Sequence, residues 1–181
     1  MIIGICGPAG AGKTTVADML CADGLGVTIP LADPLYKAIS AMFGIPEAHL
    51  VDRGKKEQTI DWLGTSPRRL LQTLGTEWGR NVIGEDVWAT ICLRRAAANL
   101  KAGFCRVVVP DVRFDNEAMA IREARGIIVR VQRPEGCVSG VAMRHPSEAG
   151  VSASLIDRVI VNAGSMDDLF REVKTTMREY L

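Results

Sequence analysis

The stretch Ile2-Ile3-Gly4-Ile5-Cys6-Gly7-Pro8-Ala9-Gly10-Ala11-Gly12-Lys13-Thr14-Thr15 decides how the rest of the chain is read. Its first five residues form a short, mostly branched apolar run suited to a strand buried on both faces. From Lys13 onward the apolar spacing turns helical. Between them, Gly7 to Thr14 matches the pattern Gly-x-x-x-x-Gly-Lys-Ser/Thr, in the strand-to-helix context that this motif requires. Glycines let successive backbone N–H groups wrap a phosphate, and the helix start presents the positive end of its dipole. Lys13 can bridge the β- and γ-phosphates, and Thr14 can ligate Mg²⁺. Gly7, Ala9, Gly10, Ala11, Gly12, Lys13, Thr14 and Thr15 are therefore the candidate residues for a nucleoside triphosphate. The bland alternative is a glycine-rich turn that binds nothing; Lys and Thr in their required places argue against it.

Working outward, short branched runs at 2–6, 27–31, 106–109, 127–132 and 158–161 alternate with helical patterns at 13–22, 34–43, 67–82, 86–102, 115–124 and 166–180. That rhythm predicts an α/β fold: a five-stranded parallel sheet flanked by helices on both faces. With 181 residues and no repeat or linker-like tract, one domain over 1–181 is expected. Two irregular stretches, 44–66 and 133–154, are long enough to suggest functional loops.

Composition excludes several classes. Twenty-two Lys plus Arg against 21 Asp plus Glu leave a formal charge of +1, so no global field draws the chain to nucleic acid or to a membrane. Any phosphate binding must be local. Sixteen of those cations are Arg, a bias that suits forked phosphate recognition or simply reflects coding composition. Five cysteines without a Cys-x-x-Cys pair, and only two histidines, argue against disulfide and zinc scaffolds. The first residues lack a basic leader, and no apolar run approaches the ~20 residues of a spanning helix, so a cytoplasmic protein is expected. Nothing in the sequence fixes an oligomeric state.

The motif implies a triphosphate, not a reaction. An Asn-Lys-x-Asp guanine signature is absent. Val107-Val108-Val109-Pro110-Asp111 supplies an acid at a strand end, where Asp111 serves the metal or the acceptor, or merely closes a turn. Asp33, before Pro34, is a candidate for substrate contact and equally for capping the next helix. Ser66 and Pro67 start a helix that then places Arg68 and Arg69 against its positive end, a cost of ~0.3–1 kcal/mol per charge unless an anion is near. One or both would clamp an acceptor phosphate, or else splay into solvent. Gln72 and Trp88 follow as further substrate candidates, Trp88 also suiting a core position. Arg133 and Arg144 fall in the second irregular stretch, where arginines on a closing flap would neutralise a transferred phosphoryl group. Asn162 and Gly164 turn the last strand into a helix capped by Ser165, with backbone placed to pack on adenine.

Taken together, the phosphate loop, Leu31-Ala32-Asp33-Pro34-Leu35, the run from Arg69 to Glu77 with Arg80 and Trp88, Asp111-Val112-Arg113-Phe114 with Asn116-Glu117-Ala118, and His145-Pro146-Ser147-Glu148 resemble phage-type deoxynucleoside monophosphate kinases. The similarity runs over nearly the whole chain, and the order and spacing of the pieces carry it. The resemblance implies an adenylate-kinase-like P-loop kinase, with ATP and Mg²⁺ on the donor side and a deoxynucleoside monophosphate as acceptor. It places Arg113 near the acceptor phosphate, suggests an acceptor-binding insert at about 34–100, and makes 133–154 look like a lid. Small nucleotides are the expected partners, with no nucleic acid and no membrane. Dephospho-coenzyme A kinase shares the Asp-Pro-Leu feature and is the rival enzyme. A nucleotide-gated assembly ATPase is the rival of another class; surplus arginines at Arg68, Arg69 and Arg113 speak for a second phosphate-bearing substrate instead.

Overall fold

Strands β1 (Ile2–Cys6), β2 (Gly26–Thr28), β3 (Arg106–Val109), β4 (Ile127–Gln132) and β5 (Arg158–Val161) form one sheet in the order β2-β3-β1-β4-β5. Every pairing is parallel. The computed structural model describes residues 1–52, 54–134 and 150–180. β1 and β3 are buried at every position, as their apolar runs require, with Arg106 at the head of β3 buried too. β1 lies at the centre, with β3 on one side and β4 on the other, so the strand order reverses around it. In open parallel sheets ligands bind at the carboxyl ends beside such a reversal.

These residues pack as two compact units, Met1–Leu31 with Ala89–Leu181, and Ala32–Trp88. In the first, one sheet face presents Ile3, Ile5, Val108, Val129, Val131 and Ile160 to α1 (Lys13–Cys21) and α7 (Met166–Thr176). Val16, Ala17 and Leu20 of α1 and Leu169 and Val173 of α7 complete that core, each large side chain contributing about 1.5–3 kcal/mol on burial. The other face takes α6 (Asp115–Glu123), whose approach depends on Gly4: a Cβ there would lie 2.7 Å from Ile128 Cδ1 and 2.9 Å from Ile121 Cδ1. The second unit holds α2 (Asp33–Phe43), α3 (Glu47–Val51), α4 (Pro67–Gln72) and the start of α5 (Val87–Lys101). Its own core is Ile39, Ile45 and Leu50, with Tyr36, Phe43, Ile60, Leu70, Leu71 and Leu74 packed around them.

Four expectations need correction. The helix predicted at 67–82 is α-helical only through α4 and then widens into a π-helix over Thr73–Ile83. The indole of Trp88 explains the wider turn. It lies so close to Gly79 that a Cβ there would come 2.4 Å from the ring, and its Nε1 donates to the Gly75 carbonyl at 2.7 Å. A side-chain donor entering the ladder is a known cause of such departures.

The strand predicted at 27–31 is shorter, because Ile29 N–H still reaches the Val108 carbonyl at 2.8 Å whereas Leu31 N–H is taken by Asp111 Oδ1 at 2.8 Å. Asp33 does not cap α2: Ala32 occupies the cap position, and Asp33 sits in the first turn, paired with Lys37 Nζ at 3.1 Å. Acid in a first turn suits the dipole, and the i, i+4 partner steadies it. Finally, 44–66 is not irregular throughout, since it holds α3, a 3₁₀ turn at Lys55–Glu57 and an antiparallel bridge between Ile60 and Thr65.

Candidate active site

Beyond Cys6 the chain adopts backbone angles that only glycine tolerates: φ is +133° at Gly7, +81° at Gly10 and +103° at Gly12. Gly7 is additionally pressed against β4, where a Cβ would meet the Val131 carbonyl oxygen at 2.1 Å. α1 then begins at Lys13, with Gly12 in the cap position and no side-chain cap hydrogen bond there, so the positive end of the helix borders the loop. Lys13 folds back over the loop, its Nζ donating to the Gly7 and Pro8 carbonyls at 2.8 Å each. Thr14 is exposed and Thr15 half-buried, while Ala11 is fully buried beneath. A glycine loop, a helix start and an ammonium group side by side are the kind of arrangement that can hold a polyphosphate.

Neighbouring strand ends contribute the next layer. β3 runs beside β1, and Asp111 follows it at half-buried depth, where one carboxylate oxygen accepts the Leu31 N–H. Arg113 is exposed in the following turn, and its backbone N–H donates to Glu117 Oε2 at 2.8 Å. Glu117 also accepts from Phe114 N–H at 3.1 Å and is only 5% exposed. That buried carboxylate fixes the turn carrying Arg113. Sequence reasoning quoted it without a role, although a Glu three residues after a helix-start position is a capping signal.

Arg133 is exposed just past β4. Arg144, the string from His145 to Glu148, Cys137 and most of the segment read as a lid lie outside the described residues. Asn162 is 9% exposed, and its side chain donates not outward but to the Ala11 carbonyl of the phosphate loop, at 2.9 Å. Gly164 is exposed at the turn into α7, where Ser165 caps as expected by accepting from Asp168 N–H.

Another residue that the sequence did not single out is Arg130. It stands level with Cys6 on β4, hydrogen-bonds the Cys6 side chain, and donates through Nη2 to the Val151 carbonyl. A lone arginine inside the buried run Ile127–Gln132 was its only trace. Burial raises the Cys6 thiol above its ordinary range, against the lowering pull of Arg130 and Lys13. Burial likewise pushes Cys92 up to about 12, with Asp111 adding to the rise, so both thiols stay protonated at neutral pH.

In the second unit the two candidate arginines already have anionic partners. Arg68 Nε pairs with Glu57, and Arg69 Nη1 lies 2.8 Å from Glu77 Oε1. The expected misfit of two cations at a helix start is therefore relieved by carboxylates. Ser66 does cap that helix, accepting from Arg69 N–H at 3.3 Å. Gln72 is half-buried at the last residue of α4, and Trp88 is half-buried with its indole N–H committed to Gly75.

A parallel sheet of order β2-β3-β1-β4-β5 with a phosphate loop after its central strand defines the P-loop kinase class. Within it, the family model of deoxynucleotide monophosphate kinases matches residues 54–173. A chain of Acanthamoeba polyphaga mimivirus, provisionally named a deoxynucleotide monophosphate kinase, is 31% identical over 96% of this chain and 94% of its own length. The deoxynucleotide monophosphate kinase of Enterobacteria phage T4 is 34% identical over 62% of this chain, and this chain spans only 46% of that longer protein. Among solved structures, one from Chloroflexus aurantiacus, provisionally named a kinase, superposes over 99% of this chain and 97% of its own, with a TM-score of 0.50 and 12% identity, a likeness of fold alone. The chain belongs to the deoxynucleotide monophosphate kinase family.

Proposed function

We propose that this protein moves the γ-phosphoryl group of ATP onto the phosphate of a deoxynucleoside monophosphate, giving ADP and the deoxynucleoside diphosphate. The observation that carries the reading is the phosphate loop, built on three positive-φ glycines in a member of this family. An oxygen of the monophosphate attacks the γ-phosphorus as the bond to the ADP oxygen breaks. Such a transfer asks of the protein mainly positioning and charge neutralisation.

Lys13 is assigned to the β- and γ-phosphates, an assignment supported by its ammonium lying 2.8 Å from two loop carbonyls. Gly7, Ala9, Gly10, Ala11, Gly12, Thr14 and Thr15 hold the donor phosphates, and Asn162 and Gly164 border the adenine. Arg68 or Arg69 exchanges its carboxylate partner for the acceptor phosphate, with Asp33, Gln72 and Trp88 toward the nucleoside. Arg113, Arg133 and Arg144 stabilise the transferring group, within an acceptor-binding insert and lid arrangement at about 34–100 and 133–154.

Mg²⁺ fits the donor set, because the Thr14 hydroxyl and the Asp111 carboxylate are hard oxygen ligands and Mg²⁺ takes few protein ligands beside phosphates and water. When bound, it would neutralise charge on the β- and γ-phosphates. No helix among the described residues is long and apolar enough to cross a membrane. The cytoplasm supplies both nucleotides and is the compartment in which we place the reaction.

ADP release should be measured with ATP and Mg²⁺ against deoxy- and ribonucleoside monophosphates and dephospho-coenzyme A. Turnover with one or more deoxynucleoside monophosphates is expected. A signal with dephospho-coenzyme A alone, or with no acceptor at all, would overturn the reading.

A further inference from the structure

The phosphate loop owes its donor geometry to a side chain far away in sequence. Ala11 and Gly12 are joined by the peptide whose N–H, that of Gly12, must face an anion held in the loop. At φ +103° Gly12 has no Cβ to resist rotation, so the loop sequence itself does little to fix this peptide plane. Asn162 Nδ2 donates to the Ala11 carbonyl at 2.9 Å, across 151 residues of chain. The same amide sits where a Cβ on Gly12 would come, 2.6 Å from Nδ2.

Asn162 is itself held firmly. Its backbone N–H donates to the Gln132 carbonyl at 2.8 Å at the end of β4, and the residue is 9% exposed. Carbonyl and N–H of one peptide point in opposite directions. Holding the Ala11 carbonyl toward β5 therefore turns the Gly12 N–H away from it, to the other side of the loop.

We infer that Asn162 is a positioning residue for the donor phosphates: its side-chain amide locks the Ala11–Gly12 peptide so that the loop's N–H groups converge before any nucleotide arrives. This rests on the phosphate-transfer reading above and gives the Asn162 side chain to the polyphosphate, leaving only the backbone at 162–164 to border the adenine. The distinction is measurable. Losing the lock should weaken every ligand that carries the polyphosphate, with or without adenine. Losing a base contact should weaken ATP alone.

The experiment uses the full chain and compares wild type with Asn162→Ala and with Asn162→Asp, which keeps the shape but replaces the donor by an acceptor. KM is measured for ATP and for the best deoxynucleoside monophosphate, and the inhibition constant for inorganic tripolyphosphate competing with ATP. The ATP KM and the tripolyphosphate constant should both rise about tenfold in Asn162→Ala, the worth of roughly one hydrogen bond. Both should rise further in Asn162→Asp, with the monophosphate KM within about twofold of wild type.

A rise for ATP with unchanged tripolyphosphate inhibition would make Asn162 a base contact and overturn the inference. Unchanged constants for both would overturn it too. If neither variant folds, Asn162 is a requirement of the fold and the inference falls. Absence of transfer in the wild type would instead strike the kinase reading, while binding of tripolyphosphate would still test the lock.

Discussion

The two compact units hold their candidate site residues in opposite ways. In the sheet-bearing unit the phosphate loop is held through main-chain carbonyls: Gly7 packs against that of Val131, the Asn162 amide donates to that of Ala11, and Lys13 donates to those of its own loop. In the helical unit Arg68 and Arg69 are held by carboxylates at the surface, with the Arg69 and Glu77 side chains 57% and 45% exposed. Backbone held by a buried sheet has one arrangement, whereas an exposed ion pair is worth about 0–1 kcal/mol and can be exchanged for another anion. The phosphate loop is thus the more firmly held of the two, and the arginine pairs are the more readily exchanged.

The hardest test of the contrast is Lys13→Ala. It removes the loop's only side-chain cation and should cut kcat/KM by about 10²–10³, the usual loss of an electrostatic contact to a transferring group. Thermal denaturation should shift only by a few degrees, as two partly exposed hydrogen bonds disappear. Turnover near wild type would mean that the preformed loop does not hold the donor.

Gly7→Ala probes the backbone directly. With a Cβ meeting a carbonyl oxygen at 2.1 Å and φ at +133°, the variant should lose roughly 2–3 kcal/mol of stability, seen in urea unfolding. An unchanged midpoint would show the loop to be as adaptable as the surface pairs.

The smallest effects are expected on the other side of the comparison. Arg68→Ala and Arg69→Ala should leave the melting temperature within about 2–4 °C, since the pairs lost are exposed. One of them should nonetheless raise the monophosphate KM about fivefold with the ATP KM unchanged. Normal monophosphate binding in both variants, together with early melting, would make these arginines structural and erase the contrast.

Much of this was legible in the sequence, for local reasons. The phosphate loop is contiguous, so Gly7, Gly10 and Gly12 announce their backbone angles and Lys13 its place at a helix start. Branched runs gave β1, β3, β4 and β5 to the residue, because a branched apolar core marks each of them even where Arg106, Arg130 or Arg158 opens or interrupts the run. Ser66 and Ser165 cap their helices through neighbours three residues away. The membership of the family likewise followed from motifs in order along the chain.

Tertiary structure alone decided what depends on residues distant in the chain. Asp111 ends β2 from 80 residues away, and Asn162 reaches Ala11 from 151. Trp88 widens the helix that carries Gly75 and Gly79, which no apolar period could foretell, since the cause is an indole N–H 13 residues beyond the carbonyl it meets. Arg68 and Arg69 are cations in any sequence reading; that Glu57 and Glu77 hold them is a matter of which surfaces folding brings together. Propensity, capping and turn chemistry act over a few residues and can be read in order. The partners of a buried amide or a guanidinium are chosen by packing, after the chain has closed on itself.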